Sequence, residues 1–191
     1  QVFTVLEGTS ARPATYFSEH LQVIEAEIGM IIGTDIVPRN TPYSMQEVYD
    51  HIEKFACTFE FVGSRLGFEG AKPVHHIADC AKNVAVVVGE TRSARTVNPN
   101  DLPKLSVSIS KNDKVIGTGY GESGSFRSSP MESMTWLVNN LSSQGVALRE
   151  GDVVVTGACT LTKDIEYGAT YTAKFDGIGS VSCQLMRPSK M

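Results

Sequence analysis

Apolar and polar residues alternate in short runs along most of this chain, and Gly, Asn or Pro interrupts many of the runs. Period-two alternation between turn residues predicts strands over 2–6, 23–32, 58–62, 83–88, 104–110, 113–118, 152–156, 170–175 and 178–186. Lys111-Asn112-Asp113 between two of these runs predicts a hairpin turn. Helical spacing stands out in two places. Ser44-Met45-Gln46-Glu47 reads as a capping box and predicts a helix with Val48, Ile52 and Phe55 on one side. From Pro130 to about Leu141, Met131, Met134 and Leu137-Val138 fall at helical spacing, with Pro in the first turn and Gly145 as a stop. The stretch from Glu90 to Pro103 predicts the longest loop. No βαβ alternation or internal repeat is present. The pattern predicts one mainly β domain of α+β class, with two or three helices on its outside.

One strand breaks its own apolar pattern in an informative way. In Val23-Ile24-Glu25-Ala26-Glu27-Ile28-Gly29, two carboxylates occupy alternate positions, so both face one side while Ile24, Ala26 and Ile28 face the other. Like charges about 7 Å apart on a half-buried face are costly without a partner. A hard divalent cation would supply one through oxygen ligands. A solvated edge strand also explains the spacing, which leaves both readings open. A third carboxylate, Glu60, stands in the strand-like run Phe59-Glu60-Phe61-Val62-Gly63-Ser64-Arg65. Three carboxylates from two strands suit Mg²⁺ or Mn²⁺, with coordination left for water or a chelating substrate.

Composition narrows the function class. The chain has 191 residues, 41% hydrophobic and 20% charged, and a net charge of −4. That length fits one domain with a sizeable core, and the charge offers no basic footprint for nucleic acid. No apolar run reaches the length of a membrane span. Cys57, Cys80, Cys159 and Cys183 are widely spaced without a C-x-x-C pair. They predict buried reduced thiols and a cytoplasmic or other reducing compartment.

Two further motifs are decoys. Gly119-Tyr120-Gly121-Glu122-Ser123-Gly124 matches G-x-G-x-x-G but lies in no βαβ unit, so it predicts a flexible loop or hairpin end. His75-His76, read as strand neighbours, face opposite ways and cannot readily share an ion. Gly151-Asp152-Val153-Val154-Val155-Thr156-Gly157-Ala158-Cys159-Thr160 predicts a strand ending in a bend from Thr156 to Thr160. Its N–H groups and hydroxyls could hold an anion, or the bend could serve backbone geometry alone.

Taken in order, these segments resemble the fumarylacetoacetate hydrolase superfamily, in particular its hydratase/decarboxylase branch. Glu25-Ala26-Glu27-Ile28 is similar to the family's E-A-E-[IL] metal strand, and Glu60 through Arg65 to its E-[IV]-V-[DG]-S-R segment. Ile77-Ala78-Asp79 is similar to [IV]-A-D, Gly151 through Gly157 to G-D-[IV]-[IV]-L-T-G, and Gly177-Ile178-Gly179-Ser180-Val181 to G-[IL]-G-[ST]-V. The resemblance implies a rolled, mixed β-sheet and an oligomer of like or unlike subunits. It also implies Mg²⁺ or Mn²⁺ held by Glu25, Glu27 and Glu60 and chelated by a small 2-oxo acid. The activity implied is hydration of a short 2-hydroxydienoic or 2-oxo-enoic acid, or decarboxylation of its oxalocrotonate-type precursor. Hydrolysis of an acylpyruvate, decarboxylation of oxaloacetate, or a silent metal-binding and oxo-acid-binding subunit are the alternatives.

Departures from the family pattern matter as much. The family's upstream G-x-K-[IV]-G segment is not in these 191 residues, so residues 1–191 are expected to be one catalytic domain shortened at its N-terminus. The family's P-D-[FY]-G-x-L corresponds to Gln1 through Leu6, which puts Val2 where the family has a catalytic Asp. Its D-T-[IV]-A-D-N-A-S corresponds to His75 through Lys82, which puts Cys80 at the Asn and Lys82 at the pocket Ser. Lys82 is therefore read either as a substitute acid/base or as a surface lysine at a strand start, and Leu6, Thr156, Gly157 and Thr160 as residues on the substrate side.

Overall fold

Two long antiparallel strands, β3 (Leu21–Ile32) and β4 (Ile52–Gly63), carry the most regular alternation in the chain and form its structural centre. Ile24, Ala26, Ile28 and Met30 from β3 and Phe55, Cys57, Phe59 and Phe61 from β4 are buried on the inner face. Each large apolar side chain placed there contributes roughly 1.5–3 kcal/mol, which sets the register of the pair. The computed structural model describes residues 4–9, 14–17, 21–66, 71–122 and 129–187.

The first sheet is completed by β5 (Asn83–Ser93), β1 (Thr4–Glu7) and β8 (Val153–Thr162), in the order β1-β5-β4-β3-β8. The second contains β2 (Ala14–Phe17), β6 (Ser106–Lys111), β7 (Lys114–Tyr120), β9 (Thr170–Phe175) and β10 (Gly179–Met186), in the order β2-β10-β9-β6-β7. Both sheets are mixed: β1 runs parallel to β5 and β2 to β10, and the other pairs are antiparallel. The sheets pack together at two corners, β5 on β10 and β8 on β7. A side chain at Gly89 or Gly119 would collide with the opposing backbone there. The sequence Gly177-Ile178-Gly179-Ser180-Val181 serves the first corner, where the Glu90 carboxylate accepts from Ser180 N at 2.6 Å and Ser180 Oγ at 3.0 Å. Val107, Ile109, Tyr171, Val181 and Leu185 of the second sheet close the core, so the expected mainly β architecture is present.

Several element boundaries differ from the sequence pattern. The capping box at Ser44 and Glu47 is present, but helix α1 (Met45–Asp50) is short, and Ile52 and Phe55 belong to β4. Pairing with β3 outweighs helix continuation beyond His51. The segment with His75-His76 is not a strand but helix α2 (Pro73–Ala78), started by Pro in its first turn. The expected loop from 90 to 103 begins as the end of β5 and continues as 3₁₀ turns over Ala94–Thr96 and Pro99–Lys104. β6 accordingly starts at Ser106. The short strand β2 carries no signal that marks it in the sequence; its parallel pairing with β10 defines it.

Helix α3 (Pro130–Ser143) is where the spacing puts it, capped by Ser129 and Glu132. Asn112 and Asp113 form the two-residue hairpin turn, both with positive φ. Ser123 and Gly124 of the glycine-rich motif lie outside the described residues, as does Val2. The four cysteines are free thiols. No described helix is long and apolar enough to cross a membrane.

Candidate metal centre

Register brings the three carboxylates together. Glu25 of β3 stands directly opposite Glu60 of β4, and Glu27 stands opposite Thr58. Directly opposite residues of an antiparallel pair project from the same face, so all three acids leave the sheet on the side away from Ile24, Ala26 and Ile28. One carboxylate oxygen from each lies within 4.8 Å of the other two. A six-coordinate ion with metal–oxygen distances of about 2.1–2.4 Å spaces its ligand oxygens roughly 3.0–4.8 Å apart, so this cluster fits one hard cation.

The electrostatics point the same way. Glu27 is 1% exposed. Burial, then the Glu60 charge, pushes its carboxyl well above the ordinary carboxylate range, against the pull of the Gly157 N–H bond. Burial and Glu60 also raise Glu25. Three acids this close, with no basic side chain among the described residues hydrogen-bonded to any of them, form a site that a divalent cation would neutralise.

Each flank of this cluster contains a β-bulge that aims one group at a carboxylate. On β8 the register slips opposite Glu27, and Gly157 adopts φ +109°. That turn points its N–H at Glu27 Oε2, 2.6 Å away. The Thr156 hydroxyl is held by the Ile28 carbonyl at 2.9 Å. The predicted terminal bend is therefore a bulge inside a strand that continues to Thr162, and the anion it holds is a carboxylate of the chain itself.

On β5 the pairing slips between Phe61/Ala85 and Val62/Asn83. Alternation alone would place Asn83 with Ala85 and Val87 on the core side. The bulge instead sets it opposite Val62, on the face of Glu60, where Asn83 Nδ2 donates to Glu60 Oε1 at 2.7 Å. Sequence reasoning missed Asn83 because its signal is a register shift. The turn before it has three successive non-glycine residues at positive φ, Cys80, Ala81 and Lys82. Such a run is strained, and a clamp holds it. Arg65 donates to Asp79 Oδ1 at 2.7 Å, to the Asp79 carbonyl at 2.8 Å and to the Asn83 carbonyl at 2.9 Å. Its backbone N–H adds a bond to Asp79 Oδ2 at 3.0 Å. The Ser64-Arg65 and Asp79 motifs thus have one shared task, delivery of Asn83.

The other predicted residues are placed less directly. Lys82 is half-buried at the end of the strained turn, one residue from Asn83. Thr160 pairs with Ala26, which turns it toward the core-facing side. Leu6 pairs with Val87 and packs against the core cluster, so the structure does not bring it to the carboxylates. An apolar groove of about 630 Å³ runs between α3 and β8, lined by Met134, Trp136, Leu137, Val154, Val155 and Thr156 among others. None of Glu25, Glu27 and Glu60 lines it; Thr156, which does, precedes Gly157 in the chain.

The chain is similar to known proteins in sequence and in fold. The family described as fumarylacetoacetate (FAA) hydrolase C-terminal matches residues 4–186. The 2-keto-4-pentenoate hydratase of Paraburkholderia xenovorans (strain LB400) is 28% identical over 164 residues, 85% of this chain and 58% of that protein. The 2-hydroxyhexa-2,4-dienoate hydratase of Comamonas testosteroni is 26% identical over 160 residues, 84% of this chain and 58% of the relative. Among solved structures, 4-oxalocrotonate decarboxylase from Pseudomonas putida G7, complexed with magnesium and adipate, superposes with a TM-score of 0.78 at 24% identity. That match covers 95% of this chain and 66% of the other. Fumarylpyruvate hydrolase from Pseudomonas aeruginosa, in complex with Mn²⁺ and pyruvate, gives 0.67 at 15% identity, over 96% and 75% of the two chains. The chain spans 58% of the length of the two hydratases it matches.

Proposed function

The chain belongs to the fumarylacetoacetate hydrolase C-terminal family, and from that premise we propose that it is a divalent-metal-dependent lyase. Its substrate is a short 2-hydroxydienoic or 2-oxo-enoic acid, which it hydrates, or an oxalocrotonate-type precursor, which it decarboxylates. The observation that carries this reading is the convergence of Glu25, Glu27 and Glu60, an oxygen-only donor set that suits Mg²⁺ or Mn²⁺. The relatives support the substrate class, since two are hydratases of 2-oxo or 2-hydroxydienoic acids and one structural neighbour holds Mn²⁺ with pyruvate. Bound there, the ion would supply Lewis-acid polarisation of the 2-oxo group.

The chain's own residues account for the rest of the proposal. Gly157 and Asn83 fix the orientation of Glu27 and Glu60, so two of the three carboxylates are preorganised. Thr156 and Gly157 border the substrate, and the groove against α3 receives its carbon chain. Lys82, on the strained turn beside Asn83, is assigned to move the proton at the remote carbon. Cys80 and Lys82 stand where the family has Asn and Ser, which favours one second reading: a subunit that binds metal and oxo acid without turnover.

The test is the ultraviolet decay of 2-hydroxypenta-2,4-dienoate and of 4-oxalocrotonate with Mg²⁺ or Mn²⁺, with chelator as control. Metal-dependent decay that is lost in Glu25→Gln establishes the lyase. Absence of decay in folded protein that still takes up the metal supports the silent reading.

A further inference from the structure

We propose that Asn83 is a positioning residue of the metal centre that acts with both ends of its carboxamide. The Nδ2 end orients Glu60 for ligation, and the Oδ1 end accepts a hydrogen bond from a water on the ion. The inference rests on the metal reading of the three carboxylates, and it goes beyond them to a residue outside the ligand set.

Three observations carry it. Asn83 is 6% exposed, and a buried amide is expected to be satisfied at both ends. Its Nδ2 is engaged at 2.7 Å by Glu60 Oε1, whereas its Oδ1 is buried with no partner among the described residues. A carboxylate that ligates a cation can only accept, so in the proposed site the NH₂ faces Glu60 and the oxygen is the orphan. Finally, the backbone goes to some length to place this side chain. A β-bulge reverses its face, a left-handed turn precedes it, and Arg65 holds its carbonyl. Strain maintained by a dedicated clamp is a mark of functional positioning.

The chemistry of the two ends is complementary. With Oε1 of Glu60 held by the amide, the second oxygen of that carboxylate would be free to hold the ion. The orphan oxygen belongs to the same planar amide, on the Glu60 face of the sheet. A water on a cation is a strong donor and a buried amide oxygen is a good acceptor. Carboxylate ligands are themselves hydrogen-bonded in metal sites, and loss of such partners typically weakens metal affinity about 10–100-fold.

The experiment is Mn²⁺ calorimetry on the whole chain and on Asn83→Leu, Asn83→Ala and Glu60→Gln, each with a melting curve in EDTA. Asn83→Leu fills the site without polar atoms and should bind Mn²⁺ roughly 10–100-fold more weakly while melting normally without metal. Asn83→Ala leaves space for water to replace the amide and should recover part of that loss, although it packs less well. A purely structural role predicts the opposite order, with Asn83→Ala the worse of the two. Equal Mn²⁺ affinity in Asn83→Leu and the unaltered chain, with binding lost in Glu60→Gln, overturns the role of Asn83 and spares the metal reading. Absence of Mn²⁺ binding in the unaltered chain overturns both.

Discussion

Replacement of Glu27 by Gln should make this protein more stable without metal and less responsive to it, and the size of both effects follows from the cluster. At the 4.8 Å outer limit of its spacing from Glu25 and Glu60, each pair of negative charges repels by about 3.5 kcal/mol at an effective dielectric near 20. Two such pairs come to about 7 kcal/mol at that spacing and to more at any shorter one, and the desolvation of a buried charge adds to it. Protonation of Glu27 relieves much of this, since its carboxyl is raised by burial and by Glu60. Near neutral pH Glu27→Gln therefore removes a group whose ionisation opposes folding, so the variant should be the more stable of the two without metal. Gln keeps an oxygen to accept from Gly157 N, so the bulge survives. For a chain of this length each kcal/mol gained raises the melting temperature by roughly 2–4 °C, so the gain in EDTA is readable in a melting curve. Mn²⁺ at about a hundred times its dissociation constant adds about 2.7 kcal/mol to the unaltered protein. The variant should gain less than about a third of that. Thermal unfolding in EDTA and in Mn²⁺ reads both quantities at once. A variant that melts at or below the unaltered chain in EDTA, or that keeps the full Mn²⁺ shift, refutes the reasoning.

Three other outcomes follow from the same geometry. Because the folded-state pKa of Glu27 is raised, its stability contribution is greatest below the unfolded carboxylate pKa and is lost as pH rises through the folded value. Denaturant unfolding in EDTA should therefore show stability declining from the ordinary carboxylate range upward, with a slope that shrinks in Glu27→Gln. Gly157→Ala forces a side chain into φ +109° and should cost about 1–2 kcal/mol in stability, with weaker Mn²⁺ binding by calorimetry because relaxation of the strained backbone turns its N–H away from Glu27. Lys82→Met should abolish metal-dependent turnover while Mn²⁺ affinity stays unchanged; retained turnover removes Lys82 from the mechanism.

The site was legible in the sequence wherever strict alternation holds. Glu25 and Glu27 share a face because β3 is regular between them and Ile24, Ala26 and Ile28 anchor the opposite face in the core. Glu60 joins them because antiparallel register puts it directly across from Glu25. The fold class follows from the same periodicity, and so do the Asn112-Asp113 turn and helix α3. What escaped was irregularity. Asn83 has the wrong parity for the carboxylate face, and only the slip between β4 and β5 reverses it. The stretch around Gly157 advertised an anion-holding bend, but the sequence does not say that the anion is Glu27. Ile52 and Phe55 fit a helical face as well as a strand, and the partner strand β3 decides between them. Tertiary pairing overrides local spacing in each of these cases.

The proposed carboxylate cage would hold a divalent ion that a 2-oxo acid chelates, and oxalate calorimetry with and without Mn²⁺ tests that claim most directly. Oxalate imitates the planar carboxylate-enolate of such a substrate. The account predicts oxalate binding only in the presence of Mn²⁺ and its loss, together with Mn²⁺ binding, in Glu25→Gln. Oxalate binding that ignores Mn²⁺, or a Mn²⁺-loaded protein that takes up no oxalate, contradicts it.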